Sequence, residues 1–210
     1  MENSESEIKV KNLELDRMVF FCDAVVAIAI TLLALDLKVT TGEHEHLSFS
    51  AIKGNGHQFV AFLLSFLYIS IFWSIHHKFF SQVKEIDRTL LWYNLCWLLF
   101  IVLLPFSTSL ISAHFFDVPA MATYCFNTFM VTLFQNQIWD YVAVRPEFLR
   151  HPKNKSLINY NRLTCNVALI NALMALIISF FSSFWAIFIL IVRLPSIYLF
   201  TRLLKKKLEL

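Results

Sequence analysis

The chain has 210 residues, of which 58% are hydrophobic and only 16% charged, and its mean hydropathy is +0.61. A soluble domain of this length needs far more polar surface, so the composition excludes one and points to helices that live in a bilayer. The formal net charge of +3 sits in short connecting segments rather than on one basic face, which argues against nucleic acid as a partner.

The first seventeen residues mix Glu2, Glu5, Glu7, Glu14 and Asp16 with Lys9, Lys11 and Arg17. No basic n-region precedes the apolar run and no small-residue cleavage site follows it, so the run is expected to stay in the mature chain. Residues 18–37 then supply the roughly 20 apolar positions that cross a hydrocarbon core. They include Asp23, Thr31 and Asp36, and a carboxylate inside a span marks either a buried network or a transport path. Ile28, Thr31, Leu32 and Leu35 recur at three- and four-residue steps and share one helix face. Asp23 lies about 140° from that stripe, so its carboxylate turns toward neighbouring helices. The stripe has two readings: ordinary helix packing, or a hydrophobic constriction in which Thr31 offers an oxygen to a partly dehydrated cation.

A polar connection carries all three glycines, Gly42, Gly54 and Gly56, and a His44-Glu45-His46 tract that reads as solvated. Residues 59–80 form the second expected span, whose end holds Trp73, His76 and His77 at the depth of Asp23. An imidazole or an indole N–H is therefore available to that carboxylate, as a buried lock or as a proton relay. Residues 90–111 make the third span, kinked at Pro105, and residues 120–142 the fourth, with Gln135, Asn136 and Gln137 as interhelical hydrogen-bonding groups. The fifth and sixth spans, 163–182 and 183–204, run together over about 42 residues, or about 63 Å of helix, so a tight turn near Ser182-Ser183 must divide them. Asn166 and Asn171 lie in the fifth, and Pro195 and Arg193 in the sixth, where Arg193 needs a carboxylate, a carbonyl, water or a route to the interface.

All but Lys38, Lys53 and Arg193 of the 18 basic residues fall on one side of this six-span layout, which makes that side, with both termini, cytoplasmic. Trp92, Tyr93, Trp139, Tyr141, Tyr160 and Tyr198 lie near the same boundary, as interfacial anchors do. With no glycine in a span, a carbonyl-lined potassium filter, GxxxG packing and glycine-broken transporter helices are all disfavoured. Any ion must pass side chains on intact helices. Cys22, Cys96, Cys125 and Cys165 fall in apolar segments and read as small buried hydrophobes.

Arg17, Phe21 and Asp23, followed by the run from Ala24 to Leu33, resemble the signature of the transmembrane protein 175 potassium channel family. That signature opens the first helix with Arg, three variable residues and Phe-Ser-Asp; Cys22 stands in the serine position. Trp73 with His76 and His77 is similar to the family as well. The resemblance implies an all-α cation channel selective for potassium, in which bulky aliphatic residues of the first helix form the narrowest points. By motif offset these are Ile28, Leu32 and Leu35, with Thr31 adjacent, so that permeant potassium passes near Thr31 and Ile28. Arg17, Phe21 and Asp23 would then belong to a polar network beside the pore, with Trp73, His76, His77 and Arg193. Cys22 weakens that network locally, because a thiol is a poorer hydrogen-bonding group than a hydroxyl.

One pore helix per chain cannot enclose a route, so a homotetramer in the cell membrane is expected. Residues 1–17 would form a cytoplasmic segment, 18–204 a six-helix channel domain and 205–210 a basic cytoplasmic end. Potassium ions, membrane lipids and other copies of the chain are the expected partners, with no cofactor, structural metal or enzymatic activity. The alternative is a proton-coupled secondary transporter that uses Asp23 with His76 and His77 as carriers.

Overall fold

In the computed structural model the described residues are 2–37 and 56–193, with side chains from residue 13 onward apart from that of residue 36. Helix α1 (Glu2–Leu32) passes through a 3-10 turn (Leu33–Asp36). Then come α2 (Gly56–Phe80), α3 (Arg88–Val102), α4 (Leu104–Ala113), α5 (Val118–Ala143), a 3-10 turn (Pro146–Phe148) and α6 (Lys155–Ser179). A shorter apolar helix, α7 (Ser183–Arg193), ends the described part. Among the described residues four stretches are long and apolar enough to cross a membrane: Leu13–Leu35, Gly56–Phe80, Arg88–Ala113 and Lys155–Ser179. The chain is thus a multi-pass membrane protein whose described elements are helices.

Local chemistry accounts for the helix ends. No glycine or proline precedes Gly42, so α1 begins at Glu2 and runs unbroken into the apolar segment. Gly56 opens the first turn of α2, three residues before the expected span, where it interrupts no helix interior. The Asp87 side chain accepts from the Leu90 N–H at 2.8 Å and caps α3. Asn154 caps α6 in the same way through the Leu157 N–H. Pro105 sits in the first turn of α4, and its missing N–H and ring bulk separate α3 from α4 at Leu103. The turn between α6 and α7 covers residues 180–182, next to the expected Ser182-Ser183.

Packing follows the buried stripes. On α2, Ala61, Leu64, Ser65, Tyr68, Ile69, Phe72, His76, Phe79 and Phe80 recur at helical spacing and face the interior. α5 and α6 pack most extensively, α3 lies against α5, and α1 rests on α2 and α3. The 81–87 and 145–154 connections are tied by an antiparallel bridge between Val83 and Leu149. The Lys84 N–H donates to the Phe148 carbonyl at 2.9 Å, the Arg150 N–H donates to that of Gln82 at 2.8 Å, and the Tyr141 hydroxyl donates to Asp87.

One anchor assignment is corrected here. Trp139 is fully buried, packs against Phe79 at 4.5 Å between ring centres, and donates its indole N–H to the Ile158 carbonyl. It belongs to the core because its face of α5 meets α2 and α6, whereas Trp92 is exposed. Cys22, Cys125 and Cys165 are buried and Cys96 half-buried, all as free thiols. Lys38, Gly42, His44, Glu45, His46, Lys53, Gly54, Pro195, Tyr198, the basic residues after Arg193, the side chain of Asp36 and the 194–204 part of the sixth span lie outside the described residues.

Candidate functional site

α1 has two unlike faces. Leu15, Met18, Cys22, Val26, Ala29 and Leu33 are buried against the rest of the subunit. Ile28, Leu32 and Leu35 are 60%, 40% and 70% exposed, and Thr31 is exposed between them. The stripe picked out by spacing therefore points away from its own subunit. Thr31 donates its hydroxyl proton to the Ile28 carbonyl at 2.8 Å, so the hydroxyl oxygen of this exposed side chain keeps its capacity to accept.

Two consecutive residues fix the rotation of α1. Asp23 accepts a hydrogen bond from the Trp73 indole N–H at 2.8 Å, across to α2. Cys22 accepts from the Asn94 side-chain amide at 3.0 Å, across to α3. These positions lie about 140° and 120° from Ile28 on opposite sides of the helix, so the pair holds the aliphatic stripe outward.

Asn94 is the hub that spacing did not reveal. It is fully buried, and its Oδ1 lies 2.7 Å from His76 Nε2. A carbonyl oxygen only accepts, so Nε2 of His76 carries the proton. The imidazole also stacks on Trp97, with ring centres 4.2 Å apart and planes 14° apart. Depth offered Asp23 either an imidazole or the Trp73 indole; the hydrogen-bond donor to that carboxylate is Trp73, because His76 is turned inward toward α3. His77 is exposed, with its ring 5.6 Å from that of Trp73. Arg17 and Phe21 are also exposed, in a groove lined by Asp87, Arg88 and Asn94.

Arg193 belongs to a separate cluster. It is buried, donates to the Thr132 hydroxyl at 2.9 Å, and lies over the rings of Tyr68 and Phe72. Gln135 donates to the Phe72 carbonyl at 2.9 Å and Asn136 to Asn166 at 2.7 Å, so these two polar residues do join helices, while Gln137 is exposed. A further buried chain was not anticipated: Thr108 donates to Ser65, and Ser65 to the Tyr124 hydroxyl. Lone polar residues in apolar runs are the only sequence signal for Asn94 and Thr108. No trio of His, Cys, Asp or Glu able to hold a metal occurs among the described residues.

The Cys22 contact makes a direct prediction. Cys22→Ser should raise the unfolding temperature in detergent by a few degrees, since a hydroxyl accepts from Asn94 more strongly than a thiol does. An unchanged or lower midpoint would show that the cavity left by the smaller oxygen outweighs the better bond.

The fold and this locked first helix define the chain as a multi-pass helical membrane protein. A sequence profile described as "Endosomal/lysosomal potassium channel TMEM175" matches residues 17–105, the stretch that holds the α1 lock and its partners. A potassium channel of Chryseobacterium sp. (strain P1-3) is 36% identical over 108 residues, covering 51% of this chain and 54% of that protein. One from Streptomyces collinus is 37% identical over 101 residues, covering 48% and 49%. The chain thus spans about half the length of these curated relatives. The crystal structure of a lysosomal potassium-selective channel TMEM175 homolog from Chamaesiphon minutus matches with a TM-score of 0.78 at 25% identity, over 90% of this chain and 98% of that one. Residues 17–105 of the chain thus match the TMEM175 family, and the chain is similar in fold to a TMEM175 homolog over most of its length.

Proposed function

We propose that the chain is a potassium-selective cation channel of the cell membrane, a homotetramer in which α1 of each copy lines one central pore. The observation that carries this reading is the outward stripe of Ile28, Thr31, Leu32 and Leu35 on a helix whose other side is bonded to its own subunit. One such face encloses nothing; four around a cyclic axis enclose a route. The relatives' names supply the ion.

In this reading rings of Ile28, Leu32 and Leu35 form a hydrophobic constriction without a glycine-rich carbonyl filter. A cation crossing it sheds part of its hydration shell, and sodium holds that shell more tightly than potassium. The constriction therefore favours potassium, and the lone pairs of Thr31 replace some of the lost water. Asp23, Cys22 and Asn94 set the angle at which α1 presents the stripe, with Trp73 and His76 as their partners. Arg17, Phe21 and His77 lie at the margin of this lock, and Arg193 stiffens the bundle behind it. Residues 18–204 make six spans, and the segments 1–17 and 205–210 lie in the cytoplasm, as the basic residues require.

The test is a reversal potential for purified protein in planar bilayers, with potassium on one side and sodium on the other. Unitary steps that reverse near the potassium equilibrium potential are expected. Saturable flux without steps would replace the channel with a coupled transporter, and unselective steps would remove the constriction as a filter.

A further inference from the structure

Phe20 takes no part in the lock or in the Ile28 stripe, yet it is 73% exposed, more than any other large apolar residue of α1. It makes no ring contact among the described residues, while Val19 and Cys22 on either side of it pack inward.

Helix geometry says where that ring points. Leu15, Met18, Cys22, Val26 and Ala29 mark the buried side of α1. Thr31 lies about 180° from their mean direction, and Phe20 lies about 20° from Thr31. α1 is helical without a break from Glu2 to Leu32, so this register holds over the rise from Phe20 to Thr31, about 16 Å along the axis. Over that length the exposed residues within about 40° of Thr31 are Ala24 and Ala27. From the cytoplasmic end, the outward face therefore runs bulky, small, bulky. It passes from a phenyl ring to two methyl groups and then to the aliphatic band that begins at Ile28.

A phenyl ring offers a cation no oxygen, so four of them around one axis make a narrow apolar collar that water leaves easily. The alanines beyond it leave width, and an ion regains its water there before it meets Ile28. Two barriers with a wetted gap between them act in series. Only the Ile28 band carries a hydroxyl, that of Thr31, to set against the lost hydration.

We propose that Phe20 forms a second hydrophobic constriction at the cytoplasmic end of the pore, one that limits the rate of conduction and leaves the choice of ion to the Ile28 band. This rests on the pore reading, in which the direction of Thr31 belongs to the axis.

Unitary conductance and bi-ionic reversal potential are recorded in planar bilayers for the full chain, for Phe20→Ala and for Phe20→Tyr. Two similar barriers in series imply about a twofold rise in unitary conductance for Phe20→Ala, with the permeability ratio of the parent. Phe20→Tyr keeps the bulk of the ring and adds a hydroxyl that wets the collar, so it should also conduct more than the parent. A lipid anchor at this position would leave conductance alone. Unchanged conductance in Phe20→Ala thus overturns the proposal. So does a permeability ratio that collapses with the rise, which would place Phe20 in the filter, and so does a rise in Phe20→Ala with a fall in Phe20→Tyr, which would make the ring a steric plug. Neither substitution opens a core cavity, so both variants should fold, with the unfolding temperature in detergent as control. A parent chain without unitary steps removes the pore reading and this one together; selective steps in the parent with a flat Phe20→Ala remove this one alone.

Discussion

Ile28→Ala should drive the potassium-to-sodium permeability ratio to near unity and raise unitary conductance. Ile28 is 60% exposed on the outward face of α1, so its truncation opens no core cavity and the fold should survive. In the proposed tetramer the substitution removes three carbon atoms from each of four side chains facing one axis. Ions then pass with more of their water in place, and the hydration difference between sodium and potassium ceases to matter. Leu35→Ala, one turn beyond Leu32 and still more exposed, should give the smaller change if Ile28 is the narrowest point. Bi-ionic reversal potentials check both variants, with the unfolding temperature as control. An unchanged ratio in Ile28→Ala would take Ile28 out of the constriction.

The face of α1 was legible because it rests on periodicity alone. Ile28, Thr31, Leu32 and Leu35 share a side at any packing angle, and the offset of Asp23 sends it inward. Depth counting also brought Trp73 to Asp23, since both were measured from one boundary. It could not assign His76, because depth says nothing about which neighbouring helix a side chain meets. His76 turns to Asn94 on α3, and a single Asn in an apolar run looks like any other polar residue. Arg193 shows the same limit: its Thr132 partner lies 61 positions away on α5. Trp139 was misplaced for a related reason. An aromatic near a boundary anchors a helix only when its face meets lipid, and this one meets Phe79.

Asn94→Leu should be the most destabilising change in the lock, lowering stability by about 2–3 kcal/mol although the side chain keeps its branched shape and heavy-atom count. The loss is one of partners. His76 keeps a buried N–H with no acceptor, and Cys22 loses its only side-chain donor among the described residues. The same change releases one of the two bonds that fix the rotation of α1, so selectivity should fall together with the unfolding temperature. A second substitution separates lost hydrogen bonds from lost packing. His76→Phe keeps an aromatic ring against Trp97 while removing the N–H that Asn94 satisfies. If the cost is desolvation, the double variant Asn94→Leu with His76→Phe should recover most of the stability, since replacing both partners by apolar groups of similar shape is nearly neutral. Additive losses in that cycle would mean that Asn94 acts through packing alone. Recovered stability with selectivity still lost would show that the Cys22 contact, rather than the His76 bond, sets the angle of α1.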